Sequence, residues 1–269
     1  MIPNVLTVAG SDSGGGAGVQ ADLKAFSALG TYGASVLCAL TAQNTHGVTA
    51  IHDVPAEFVT AQLDAVFSDL AIGAVKVGML SRPEIISAVT DGLTRHHKGP
   101  LVVDPVMVAK GGAPLLADHA VEALRTELVP RATVVTPNLP ELGVLLDRPP
   151  PADEAEMRAA GEALRALGPE WVLVKGGHLD GDESVDLLVG AGGVQRFVAD
   201  RLRTRNTHGT GCTLSSALAA HLAKGVDVPE AVAVSKAYLT GAIEAADGLN
   251  VGSGHGPVHH FHALWPAEG

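Results

Sequence analysis

The chain has 269 residues, of which 46% are hydrophobic and 17% charged; this excludes a disordered polypeptide and provides for a sizeable core. Lys and Arg number 18 against 29 Asp and Glu, a formal net charge of −11, and aromatic residues make up 3%. A surface of that kind suits neither nucleic acid nor an anionic membrane. Two cysteines, Cys38 and Cys212, make no disulfide framework. Met1-Ile2-Pro3-Asn4 does not open a signal peptide, and no run reaches the ~20 apolar residues of a membrane span. A cytoplasmic chain folded as one domain over residues 1–269 is the expectation.

Short, β-branched-rich apolar runs occur at Val5–Ala9, Ser35–Leu40, Leu101–Val103, Thr133–Val135 and Trp171–Val174. They do not alternate with polar residues, as expected of strands covered on both faces. Helical periodicity lies between them: Val59, Leu63, Val66 and Leu70; then Ile86, Val89 and Leu93; then Met157, Ala160, Leu164 and Leu167. Pro55 and Pro83 stand where first helical turns begin. Residues 184–189 and 194–198 read as a hairpin around Gly190-Ala191-Gly192-Gly193. The tail from Gly248 to Gly269 is irregular and His-rich. This alternation predicts an α/β fold: a three-layer sandwich with a mostly parallel central sheet and helices on both faces.

Parallel sheets bind ligands at the carboxyl ends of their strands. The apolar runs lead into Gly10-Ser11-Asp12-Ser13-Gly14-Gly15-Gly16-Ala17-Gly18, Thr41-Ala42-Gln43-Asn44, Asp104-Pro105, Thr136-Pro137-Asn138 and Lys175-Gly176-Gly177-His178. The glycine-rich run reads as a ligand lid. Its Gly16-Ala17-Gly18-Val19-Gln20-Ala21 matches a dinucleotide fingerprint, but the loop is long for a tight strand-to-helix turn. The next strand also offers Gln43 and Asn44 rather than an acid for a ribose. No G-x-x-x-x-G-K-[ST] is present.

Asn206-Thr207-His208-Gly209-Thr210-Gly211-Cys212-Thr213 precedes a helical pattern through Leu214, Leu218 and Leu222. Glycines at a helix start free several N–H groups for an anion. Cys212, at that terminus, is expected to have its thiol pKa lowered toward neutrality. A Cys212–His208 hydrolase is a competing reading that lacks an orienting third group. Asn138 and Glu141, three apart at a helix start, suit either Mg²⁺ and its waters or an ordinary cap. His259, His260 and His262 form the densest histidine cluster; a loop-like tail favours a structural role over a metal site.

These motifs together, in this order, resemble the hydroxymethylpyrimidine/phosphomethylpyrimidine kinases of thiamine biosynthesis, in the ribokinase-like superfamily. The resemblance runs from the first strand to Gly256-Pro257-Val258-His259-His260-Phe261-His262. It implies two ATP-dependent phosphorylations, of 4-amino-5-hydroxymethyl-2-methylpyrimidine to its monophosphate and then to its diphosphate. It further implies that Gly10, Asp22, Gln43, Met79 and Val106 line the pyrimidine pocket. Gly209, Thr210 and Gly211 become the anion hole, and Cys212 the base. Asp104, Asn138, Glu141, Lys175 and Thr207 serve ATP and its phosphates, with Mg²⁺ placed by Asn138, Glu141 and Asp104 largely through water. A homodimer acting on small molecules is implied. A pyridoxal kinase on the same fold, and a non-catalytic ligand-binding module, are the alternatives.

Overall fold

The computed structural model describes residues 1–108, 116 and 119–265; the last four positions of the His-rich tail lie outside them. The described strands are β1 (Asn4–Gly10), β2 (Tyr32–Asn44), β3 (Gly47–Asp53), β4 (Ile72–Val77), β5 (Leu101–Val103), β6 (Val134–Val135), β7 (Trp171–Lys175), β8 (Glu183–Gly190) and β9 (Gly193–Asp200). They form one sheet in the order β3-β2-β1-β4-β5-β6-β7-β8-β9. The strands from β2 to β7 pair in parallel; β3 closes one edge antiparallel, and the β8–β9 hairpin extends the other.

Alternate side chains of the central strands enter different cores. Leu6, Val8, Val75, Val77, Val103, Val135, Val172 and Val174 pack with α2 (Ala56–Asp69), α3 (Pro83–His96), α5 (Leu139–Leu146) and α6 (Glu154–Arg165). Val5, Val102, Val134 and Leu173 pack instead with α1 (Gly18–Ala28), α7 (Thr210–Ala223) and α8 (Val228–Glu244). The short α4 (Ala120–Ala123) continues into a wider π turn over Leu124–Leu128 on the first side. The three-layer sandwich with a mostly parallel sheet expected from the sequence is therefore the fold.

Two elements depart from expectation. β2 does not end at Leu40; it continues to Asn44, because β3 pairs with that half as an antiparallel hairpin. The apolar pattern missed this extension since β3 is mostly exposed. β4 was also missed, because Gly73 and Lys76 interrupt its apolar run.

Lys76 is the more consequential of the two interruptions. Its ammonium is fully buried and lies 2.9 Å from both carboxylate oxygens of Asp22 on α1. Asp22 also accepts from the Thr7 hydroxyl of β1 at 2.6 Å and the Ser216 hydroxyl of α7 at 2.7 Å. A buried ion is tolerated only when paired and hydrogen-bonded. Removing one partner of such a pair costs about 3–5 kcal/mol, whereas replacing both with apolar groups is often near neutral. Asp22→Ala is thus expected to lower unfolding free energy by that amount in urea denaturation. The double variant Asp22→Leu/Lys76→Met is expected to recover most of it; a double variant as unstable as the single would remove the unpaired charge as the cause.

Candidate active site

The carboxyl ends of β1, β4, β5, β6 and β7 and the first turn of α7 enclose a cavity of about 550 Å³. Gly10, Gln43, Met79, Val106, Asp104, Asn138, Glu141, Lys175, Thr207, Gly209, Thr210, Gly211 and Cys212 all line it. A second cavity of about 370 Å³ adjoins it, sharing Asn138, Lys175, Thr207, Thr210 and Gly211, and is walled farther out by Asp186, Lys236 and Thr240.

The first cavity's acceptor-side wall is built by close packing. Gly10 lies where a Cβ would stand 2.6 Å from the Met79 Cε, so a larger residue there would push the end of that side chain aside. A register shift in β2 between Ala42 and Gln43 re-aims the strand's end, and Thr41 and Gln43 both reach the cavity. The Thr41 hydroxyl donates to Ser11 O at 2.8 Å and lies 3.1 Å from Gln43 Oε1, which ties the end of β2 to the loop that follows β1. Asp22 does not join this wall. It lies fully buried beneath it, its oxygens occupied by Lys76, Thr7 and Ser216, and Lys76 takes the place on the cavity surface instead. Lys76 escaped the sequence reading; its signal was a lysine inside an apolar strand.

The loop before α7 carries the second half of the site. Gly209 adopts φ 80° as the helix N-cap, a conformation that favours glycine, and no side chain caps the helix. The first-turn N–H groups of such a helix lack intrahelical acceptors and point outward, a ready anion site. Lys175 pairs with Asp104 at 2.9 Å, and both approach Gly211, whose Cβ would lie 3.4 Å from the Lys175 Nζ. Burial alone would raise the Asp104 pKa, but the Lys175 and Lys76 charges hold it below the usual carboxylate value.

One expectation about chemistry changes here. The Cys212 thiol is not acidified by the helix terminus. Burial pushes its pKa up to about 11, outweighing the nearby Lys76 ammonium, while Asp22 and Asp104 add to the rise. It is a neutral thiol at pH 7. Asn138 and Glu141 form a reciprocal capping box: the Glu141 N–H donates to Asn138 Oδ1 at 2.9 Å, and the Asn138 N–H to Glu141 Oε2 at 2.8 Å. Both still face the cavity, and burial pushes the Glu141 pKa up to about 7.

His208 turns its Nε2 to Asp12 at 2.8 Å, which leaves no support for a Cys212–His208 pair. His260 Nε2 sits 3.0 Å from the Thr213 hydroxyl, and burial pushes its pKa down to about 3. Among the described residues no three or more His, Cys, Asp or Glu side chains are grouped to hold a metal.

Comparison with known proteins places the chain among kinases. Residues 12–259 match the family described as phosphomethylpyrimidine kinase. The hydroxymethylpyrimidine/phosphomethylpyrimidine kinase of Rhizobium meliloti is 60% identical over 260 residues, 97% of each chain. The crystal structure of phosphomethylpyrimidine kinase from Clostridium difficile 630 is 46% identical, with a TM-score of 0.80, over 90% of this chain and 100% of that one. An ADP complex of Bacillus subtilis pyridoxal kinase aligns with a TM-score of 0.90 at 34% identity, over 98% of this chain and 99% of that one. With a cavity edged by an uncapped Gly-Thr-Gly turn and a match across nearly its whole length, the chain belongs to the phosphomethylpyrimidine kinase family.

Proposed function

We propose that the protein transfers the γ-phosphoryl group of ATP first to 4-amino-5-hydroxymethyl-2-methylpyrimidine and then to the resulting monophosphate, within thiamine biosynthesis. The observation that carries this reading is the junction of two cavities at one anion-binding helix terminus, Gly209–Cys212. Phosphoryl transfer needs alignment and charge neutralisation more than covalent chemistry, and such a junction supplies both.

In this reading Gln43 meets the polar edge of the pyrimidine, and Met79 and Val106 pack on its ring. A heterocycle lacking the matching groups would leave the Gln43 amide unpaired, which is the basis of selectivity. The N–H groups of the α7 first turn hold the equatorial oxygens of the moving phosphoryl group, and Lys175 lies on the same side. ATP spans the junction, with its base side in the cavity walled by Asp186 and Lys236, themselves paired at 2.6 Å.

The acidic donors fit a hydrated Mg²⁺ rather than a directly caged one. Asn138 Oδ1 and Glu141 Oε2 are engaged by each other's backbone N–H, and Asp104 Oδ1 by Lys175, so few lone pairs remain for direct ligation. Asn138, Glu141 and Asp104 would hold the ion through its water shell. When bound, Mg²⁺ neutralises charge on the ATP phosphates.

Incubating the protein with Mg-ATP and the hydroxymethylpyrimidine, with pyridoxal in a parallel reaction, tests the reading by mass spectrometry. Mono- and diphosphorylated pyrimidine are the expected products; phosphorylated pyridoxal alone would overturn the acceptor assignment while leaving the phosphate chemistry.

The thiol makes a second prediction. With a pKa near 11, its thiolate fraction at neutral pH is small and rises about tenfold per pH unit. The first phosphorylation should therefore accelerate above pH 7, and Cys212→Ser should flatten that rise. The second acceptor is already an anionic phosphate and needs no strong base, so its rate should change less. Equal losses in both steps would reduce Cys212 to a packing residue.

A further inference from the structure

The glycine-rich segment 10–18 is organised around one carboxylate. Asp12 is 2% exposed. Its Oδ1 accepts the Gly14 N–H at 2.8 Å, and its Oδ2 accepts those of Gly16 and Ala17 at 3.1 and 2.9 Å. The Asp12 N–H in turn donates to Gln20 Oε1 at 2.8 Å. One side chain thus folds the loop onto itself. Its ionisable partner among the described residues is His208, whose Nε2 lies 2.8 Å from Asp12 Oδ2.

That partner stands immediately before the helix N-cap. The His208 N–H donates to Gly256 O at 3.0 Å, which anchors the residue from behind. The two loops approach closely enough to require glycine on both sides. A Cβ on Gly16 would lie 2.5 Å from the His208 ring, and one on Gly209 would lie 1.8 Å from Gly16 O. The same loop also grips the acceptor wall. The Gln43 N–H donates to the Ser13 hydroxyl at 2.8 Å, and that hydroxyl donates to Gln43 O at 2.8 Å. Gln43 Nε2 ends 3.5 Å from His208 Nε2.

Segment 11–17 therefore sits between the residue assigned to read the acceptor and the loop assigned to hold the phosphoryl group. We propose that Asp12 and His208 are a positioning pair that couples these two halves of the site, and that their contact keeps water from the transfer path. This rests on the kinase reading above. With the contact broken, Asp12 no longer ties the loop to the α7 terminus. Water then competes with the acceptor: its oxygen attacks the γ-phosphorus, the bond to the ADP oxygen breaks, and inorganic phosphate and a proton are released.

The informative quantity is ADP formed per pyrimidine phosphate bond made, because it does not depend on the fraction of folded enzyme. Wild-type protein should give a ratio near unity, as transfer stoichiometry demands. His208→Ala should raise the ratio severalfold and raise the pyrimidine KM. It should also lower kcat by up to about 100-fold, the scale of a 1 Å misplacement. His208→Gln, which keeps an N–H donor within reach of Asp12, should return the ratio toward the wild-type value. Where His208→Ala does not fold, Gly16→Ala carries the same test, since its methyl group would push the loop from the histidine ring. Variants that are slow but keep the wild-type ratio and pyrimidine KM would overturn the pair as a coupling device. Wild-type protein that phosphorylates no pyrimidine would overturn the kinase reading and this proposal with it.

Discussion

The buried ammonium of Lys76 sets the terms for the rest of the site. An ion at the centre of a sheet must find its counter-charge there, and Asp22 supplies it from α1. The carboxylate then fixes two further elements, because its remaining lone pairs bind Thr7 on β1 and Ser216 on α7. Ser216 lies four residues after Cys212, on the same face of the helix. The bond that satisfies a buried charge therefore also sets the rotation of α7 and turns Cys212 toward the cavity. Neither Asp22 nor Ser216 lines that cavity, yet the direction of its first helical turn depends on both.

The same economy recurs around the cavity rim. Lys175 is paired with Asp104, Lys236 with Asp186 and His208 with Asp12, each joining elements far apart in sequence. In a chain carrying a formal charge of −11, local pairing keeps the approach to the phosphate loop from being uniformly acidic. The lysines are fixed by their partners before any ligand arrives. Pre-set dipoles and charges of this kind need little reorganisation during phosphoryl transfer, which is where such sites gain most of their effect.

The sequence made the strand ends legible because buried parallel strands are continuous apolar runs and the residues that close them are not. Asp104, Asn138 and Lys175 could be found that way, and the Gly209–Cys212 turn by its glycines ahead of a helical pattern. What it concealed were properties set by three-dimensional neighbours. Asp22 entered the pocket only through the family resemblance; the position of Lys76 shows that its oxygens are spent. Lys76 itself was hidden because one cation in a short strand looks like a break in the strand. Gln43 was found, but as part of a loop: the hairpin that extends β2 past Leu40 depends on pairing with an exposed strand of little hydrophobic signal.

The thiol is the clearest case of burial defeating a local rule, and it bears on how one site can serve two acceptors. A helix terminus stabilises an anion by partial charges, but removal from water penalises the same anion more heavily here, so Cys212 stays protonated at pH 7. In the proposed sequence the first acceptor is a neutral alcohol and the second an anionic phosphate. A permanently charged carboxylate at this position would help the first lose its proton and repel the second. A neutral thiol imposes no such repulsion on the second, and the small thiolate fraction it keeps assists only the first. The half-buried cysteine thus suits a cavity in which alignment by Gln43 and charge neutralisation by the α7 terminus and Lys175 are common to both transfers, while the acceptor changes from uncharged to anionic between them.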